Sequence, residues 1–209
     1  MVKRMQITIA LISLVVISAM GLLAQGPNVK LENAQVHVIA VTAQPHRPSP
    51  MVERPLNRVM IYLDAGAVTW TGASGKVDKI EFPAGYVLWS PAGEPYKNEN
   101  VSDHPIRIVE ISLKNTSPAP LPKTKIDPTV VDPKHYKVEF ENAQVRVLRI
   151  HYGPHENGAM HEHILNRVVT YLTDHPNNKA GDVRMAGAAT HTEENKSDQA
   201  VERIAVELK

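Results

Sequence analysis

Three histidines carry the chemistry open to this chain. They stand in Met160-His161-Glu162-His163 and in His191-Thr192-Glu193-Glu194-Asn195, with Gly181-Asp182-Val183 between them. Side chains two apart on a strand leave the same face. His161 and His163 can therefore converge inside a β-barrel, and His191, from a later strand or turn, completes a set of three nitrogens. Neutral imidazoles in that number suit one divalent ion of zinc, iron, manganese, nickel or copper and leave positions open for water or substrate. The expected metal site is His161, His163 and His191. The competing expectation makes the close pair polar barrel lining, or the remnant of a lost site.

The elements that must position these residues come as a repeat. Glu32-Asn33-Ala34-Gln35-Val36 returns 109 positions later as Glu141-Asn142-Ala143-Gln144-Val145. At the same offset Pro45-His46 matches Pro154-His155, Met51 matches Met160, Leu56-Asn57-Arg58-Val59 matches Leu165-Asn166-Arg167-Val168, and Tyr62-Leu63 matches Tyr171-Leu172. From Glu32 to Leu63, 16 of 32 positions are identical to their partners, which coincidence cannot produce. Where the second copy has its histidines, the first has Val52, Arg54 and Tyr96. One copy is armed and the other is not.

Features shared by both copies are expected to serve the framework, among them the Asn-Arg pair, His46 with His155, and Met51 with Met160. Arg167 has a second reading. If the strand runs on from His163, residues 161, 163, 165 and 167 share a face, and the guanidinium can clamp a carboxylate or phosphate bidentately beside the metal. Glu193 and Glu194 could orient or replace a ligand, or act as a base; the preferred reading is a solvated turn with Lys196 and Asp198. His104, His135, His151 and His175 show no partner pattern. Trp70 and Trp89 are expected to fill the core of the first copy.

Each copy alternates apolar and polar residues over short runs, as in Val36-His37-Val38-Ile39 and Val145-Arg146-Val147-Leu148, punctuated by glycine and proline. The pattern is that of an all-β sandwich or barrel. The first module is expected over 29–114 and the second over 134–209, joined by a linker over 115–133. That linker holds Pro118, Pro120, Pro122, Pro128 and Pro133, a composition hostile to helix and interior strand. Between Leu63 and Gly85 lie 21 residues, but only 8 lie between Leu172 and Gly181. The first copy has room there for a hairpin around Gly72-Ala73-Ser74-Gly75. The second is shorter by about one hairpin, so its barrel is either open or completed by another segment.

These residues resemble the cupin superfamily, and the duplication resembles a bicupin, over about Val29 to Lys209. The resemblance implies two tandem double-stranded β-helix (jelly-roll) modules. It assigns His161 and His163 to the first metal motif, and Gly181, His191 and Asn195 to the second. Gly85, Pro91-Ala92-Gly93-Glu94-Pro95-Tyr96 and Asn100 are the counterpart in the first copy. The family's glutamate ligand is missing: four residues beyond His163 stands Arg167, and Asn166 beside it has the opposite strand parity. In the first copy Val52, Arg54 and Tyr96 imply no metal.

Before the modules, Lys3 and Arg4 precede an almost uncharged apolar run, Ile7 to Leu23, with a small residue at Ala24. Residues 1–24 read as a signal peptide for periplasmic or secreted export, with Ala19 and Gly21 as an alternative cleavage site. The rival reading is an uncleaved membrane anchor. After cleavage no stable membrane association is expected. There are no cysteines, so no disulfides form in an oxidising compartment. A formal net charge of +1 gives no field for nucleic acid. A homodimer stays open, as does the ligand. The chain is either a metal-dependent cupin acting on a small molecule or a non-catalytic bicupin that binds one.

Overall fold

A computed structural model describes residues 28–209 apart from 116, 118, 119 and 176, and apart from the side chain of residue 52. The expected signal segment lies outside the described residues. The first copy forms β1 (Asn28–Glu32), β2 (Val36–Ala43), β3 (Val52–Arg54), β4 (Arg58–Tyr62), β5 (Gly66–Gly72), β6 (Val77–Phe82), β7 (Tyr86–Ser90), β8 (Gly93–Asn100) and β9 (Ile106–Leu113). A short helix α1 (Pro128–Val131) follows. The second copy forms β10 (Tyr136–Glu141), β11 (Val145–Tyr152), β12 (His161–His163), β13 (Arg167–Tyr171), β14 (Val183–Ala186), β15 (Ala189–His191) and β16 (Val201–Leu208). Among the described residues no helix is long and apolar enough to cross a membrane.

The repeated Glu-Asn-Ala-Gln-Val motif builds the first turn of each copy. Asn33 Oδ1 accepts from the amides of Gln35 and Val36 at 2.8 and 2.9 Å, and Asn142 Oδ1 from those of Gln144 and Val145 at 2.9 and 3.0 Å. An asparagine side chain bonding to the backbone two and three residues on closes such a turn without distorting it. The strands that follow assemble identically. One five-stranded sheet runs β1-β2-β9-β4-β7, the other β10-β11-β16-β13-β14.

The smaller sheets differ. In the first copy it is β3-β8-β5-β6, with the β5–β6 hairpin in the expected extra segment; in the second it is β12-β15 alone. The missing hairpin leaves β12 short of cover, and the proline-rich stretch supplies part of it. The Glu162 amide donates to the Ile126 carbonyl at 2.9 Å, and Thr124 Oγ1 to Glu162 Oε2 at 2.5 Å. The stretch also folds α1, capped by Asp127 Oδ1 accepting from Thr129 N at 2.9 Å, with Pro128 in the first turn where no amide is needed. The stretch is more than a spacer.

Alternation along the strands sends side chains to two destinations. Val59 and Ile61 join Val38, Val109 and Ile111 in an apolar layer that also contains Val147, Val168, Ile204 and Val206 of the second copy. The large sheets pack back to back through it. The opposite parity, Met60, Tyr62, Ile106 and Ile108, fills the interior of the first barrel, and Leu148, Ile150, Val169 and Ala205 that of the second. Burying one such aliphatic side chain contributes about 1.5–3 kcal/mol, so the shared layer is what joins the halves. Trp89 belongs to this layer, edge-on to Phe140 at 6.2 Å between ring centroids. The sequence expectation that it fills the first barrel is corrected; Trp70 does pack against that interior.

Contacts across the layer are reciprocal. Asn57 Nδ2 donates to Gln144 Oε1, and Asn166 Nδ2 to Gln35 Oε1. A Cβ on Gly85 would meet Leu172 at 3.1 Å, and one on Gly181 would meet Leu63 at 2.9 Å. The two glycines take φ of 76° and 94°, which disfavours any side chain. Each pair is the 109- or 96-residue translation of the other, the signature of a pseudo-twofold, self-complementary interface.

Candidate metal centre

Strand β12 pairs antiparallel with β15, placing His161 opposite His191 and His163 opposite Ala189. The first copy keeps the first of these pairings, residue 52 opposite Tyr96, and then shifts register so that Arg54 lies opposite Gly93. His161 and His163 turn inward and are buried; His191 is half-buried. One nitrogen from each of the three rings lies within 4.8 Å of the other two, and Nε2 of His161 is 2.9 Å from Nε2 of His191. Sequence placed these three together, and the fold brings them together.

The outward nitrogens are already committed. His161 Nδ1 donates to the Ala159 carbonyl at 2.8 Å, and His163 Nδ1 to Glu207 Oε1 at 2.9 Å. A proton on Nδ1 leaves the Nε2 lone pair free and aims it into the site, the arrangement metal-binding histidines use. Burial pushes His161 below its ordinary value. Burial, with the neighbouring imidazoles adding to it, holds His191 down at about 4. Both rings are neutral at neutral pH, as ligation requires. A donor set of oriented, converging nitrogens fits a divalent ion.

Around the rings, Glu207, Tyr136 and Arg203 escaped the sequence reading. Glu207 is buried on β16, accepting from His163 and, at 2.6 Å, from Arg146 Nε. Burial pushes Glu207 up, but the His163 and Arg146 hydrogen bonds outweigh it and hold the carboxyl below the usual range. Tyr136 Oη lies 3.0 Å from His161 Nε2 and donates to Glu193 Oε2 at 3.0 Å. Burial, then the Glu193 charge, raises Tyr136 far above its ordinary value, so it stays a hydroxyl. Glu193 itself is paired with Arg203. Burial pushes it up, Arg203 and Tyr136 pull it further down, and it remains ionised. The solvated-turn reading is corrected for Glu193, which faces the site because Arg203 draws it in. Glu194 alone is solvated, beside Lys196.

Arg167 also needs correction. The strand does not run on from His163: the chain bends at 164–166, and Arg167 opens β13 in the other sheet, opposite Glu207. It still points into the same barrel, buried, with Nη1 donating to the Gly187 carbonyl at 2.6 Å. Asn166 faces the first copy, as its parity implied. Asn195 Nδ2 ties the carbonyls of Gly153 and Gln199 at 2.8 Å each, and Asn100 Nδ2 does the equivalent with Ala43 and His104 at 2.9 and 2.8 Å. These asparagines, like His46 and His155 with their positive φ of 52° and 57°, are framework. His135 is buried between Asp132 and Glu156 and stacks on Tyr152.

No protein-family model matches the chain, and comparison with curated proteins finds no relative. Solved structures do match. AerE from Microcystis aeruginosa aligns over 88% of this chain and 97% of its own, at 11% identity and a TM-score of 0.60. A deletion mutant of Bacillus subtilis oxalate decarboxylase aligns over 85% and 69%, at 11% identity and 0.60. A salicylate 1,2-dioxygenase mutant from Pseudoaminobacter salicylatoxidans aligns over 83% and 71%, at 11% identity and 0.57. A cupin 2 conserved barrel protein from Leptotrichia buccalis aligns over 86% of each chain, at 12% identity and 0.50. At these identities the likeness is one of fold, and the fold of this chain is the cupin jelly roll.

Proposed function

We propose that the second copy binds one divalent metal ion through Nε2 of His161, His163 and His191 and presents it to a small-molecule ligand. The observation that carries this reading is the fixing of Nδ1 on His161 and His163 by Ala159 and Glu207, which leaves their free nitrogens converging with that of His191. The Bacillus subtilis oxalate decarboxylase, similar in fold, is described with Mn(II) centres, which supports a metal in this kind of barrel. A bound divalent ion would polarise an oxygen of the ligand or of water. Around it, Glu207 orients His163, Tyr136 keeps its proton and donates to Glu193, and Glu193 stays ionised against Arg203. The Lys3-Arg4 start and the apolar run behind it support export to the periplasm or beyond.

Elemental analysis by mass spectrometry of untagged protein, with the double variant His161→Ala, His163→Ala alongside, tests the reading. Near-stoichiometric metal that disappears in the variant is expected. A wild type that stays empty after incubation with zinc, iron, manganese, nickel and copper would sink it. One observation favours the second reading, a metal-free ligand-binding barrel: His191 Nε2 can donate to His161 Nε2 at 2.9 Å, which satisfies the pair without an ion.

A further inference from the structure

Both copies keep an arginine at the start of the same strand, and their surroundings treat it differently. Arg58 is held by three side chains: Nη1 donates to Glu110 Oε1 at 3.2 Å, and Nη2 to Ser90 Oγ at 2.7 Å and Tyr96 Oη at 2.6 Å, while its Nε finds no partner among the described residues. Strand register identifies what stands in those three places in the second copy. Ser90 pairs with Arg58 where Ala186 pairs with Arg167. Glu110 pairs with Met60 where Ala205 pairs with Val169. Tyr96 lies opposite residue 52 where His191 lies opposite His161. Every partner of Arg58 has been replaced, and the carboxylate and the serine hydroxyl have become methyl groups.

Arg167 nevertheless persists. It is 4% exposed, makes one protein hydrogen bond, to the Gly187 carbonyl, and forms no ion pair among the described residues. Glu207, directly across the ladder, has given one oxygen to His163 and the other to Arg146. A buried guanidinium with no anion is costly to keep. Had the arginine been only framework, loss of its partners would have been better answered by an apolar residue. A second cation has been added nearby: Arg184, on the neighbouring strand β14 opposite Val169, replaces Leu88 of the first copy and is exposed. The β5–β6 hairpin, whose Val68 and Ile80 close the first barrel, has no counterpart over this side.

We propose that Arg167 is the anion receptor of this site, and that the ligand carries a carboxylate which occupies the place Glu110 fills in the first copy. The planar guanidinium matches a carboxylate edge to edge through two parallel hydrogen bonds, and Arg184 draws the anion to the opening. This proposal rests on the second copy being the ligand-holding half, and it names the ligand class of that site.

The test is calorimetric titration of the full protein with acetate, malonate and benzoate, each set against its neutral amide, and with inorganic phosphate, with metal content measured on the same samples. At least one carboxylate binds, and its amide does not. Arg167→Met weakens that binding at least tenfold. Ala205→Glu, which restores the first copy's carboxylate and leaves the guanidinium in place, does the same, and it keeps the fold because Arg58 and Glu110 already show that pair to be accommodated. Binding unchanged in both variants, equal binding of the amides, or tighter binding of phosphate overturns the proposal. Full metal occupancy without carboxylate binding refutes the receptor and leaves the metal reading standing. Carboxylate binding by a protein that takes up no metal does the reverse.

Discussion

The two copies share a fold, a turn motif, buried asparagines and a mutual interface, and they differ in what fills the barrel beside the small sheet. The first is packed shut by its own residues. Arg58 ties Glu110, Ser90 and Tyr96 together through its two terminal nitrogens, and the β5–β6 hairpin adds Val68, Trp70 and Ile80. The second gives that volume to His161, His163 and His191 and holds them with Glu207, where the first has Ser112. A polar interior can therefore be finished with a closed hydrogen-bond set or left with free donors and lone pairs, on the same strands. Only the unfinished version has anything to offer a ligand.

Making the second copy resemble the first is the most damaging way to break this contrast. Glu207→Ser removes the acceptor from His163 and an anion from Arg146. A loss of about 3–5 kcal/mol in denaturant unfolding is expected for breaking a buried ion pair, together with a 10–100-fold loss of metal affinity by competition with a chelator. An unchanged affinity would show that His163 needs no orienting partner.

The paired arginines sharpen the contrast. Arg58→Met strands Glu110 and should cost about 3 kcal/mol or more. Arg167→Met strands no carboxylate and should cost clearly less, or stabilise, in the same urea series. Equal losses would mean that Arg167 is framework after all.

Acid should separate the copies next. His161 and His191 are held neutral by burial, so from pH 6.5 downward the unfolded chain takes up protons that the folded chain refuses, at His191 until about pH 4, and stability falls across that window. Below pH 4.5 the unfolded chain also protonates Glu193 and Glu207, whose folded values are depressed, and the stability they contribute is lost as pH falls through those values. Amide exchange of the metal-free protein should show β12 and β13 losing protection on acidification before β4. Simultaneous loss would place the acid-sensitive groups in the shared layer instead.

The smallest effect is expected at the interface. Asn166→Ala should cost about 1 kcal/mol, the ordinary worth of one hydrogen bond, and Asn57→Ala more, because Asn57 Oδ1 also accepts from the Ala92 amide at 2.7 Å. Equal losses in thermal unfolding would show that the Ala92 contact contributes nothing and that the cross-layer pairs alone set the cost.

The convergence of the three histidines was legible because strand parity is strict and the repeat supplied the register: 161 and 163 share a face, and 191 falls where Tyr96 falls in the other copy. The missing hairpin could be counted directly. Glu207 was not legible, since it lies 44 residues beyond His163 and only the pairing of β16 with β13 brings it near; its one signal was a charge on the inward parity of β16, which Arg203 shares. Arg167 was misplaced because the bend at 164–166 carries no glycine or proline to announce it. The back-to-back packing had left a trace in Val59-Met60-Ile61-Tyr62, an apolar run without alternation, as a strand buried on both faces must have. Glu193 looked like part of a turn because Arg203, which draws it inward, is distant in sequence.

The reciprocal contacts between the halves have a consequence for how such an asymmetry can arise. In a dimer of identical chains every substitution appears on both sides of the axis, so a residue that opens one barrel opens the other, and any cost in stability is borne twice. Joining the two subunits into one polypeptide lifts that constraint. Each side then drifts under its own selection while the other keeps the pair together, and one partner can become scaffold so that its twin can tolerate a less stable, ligand-ready interior.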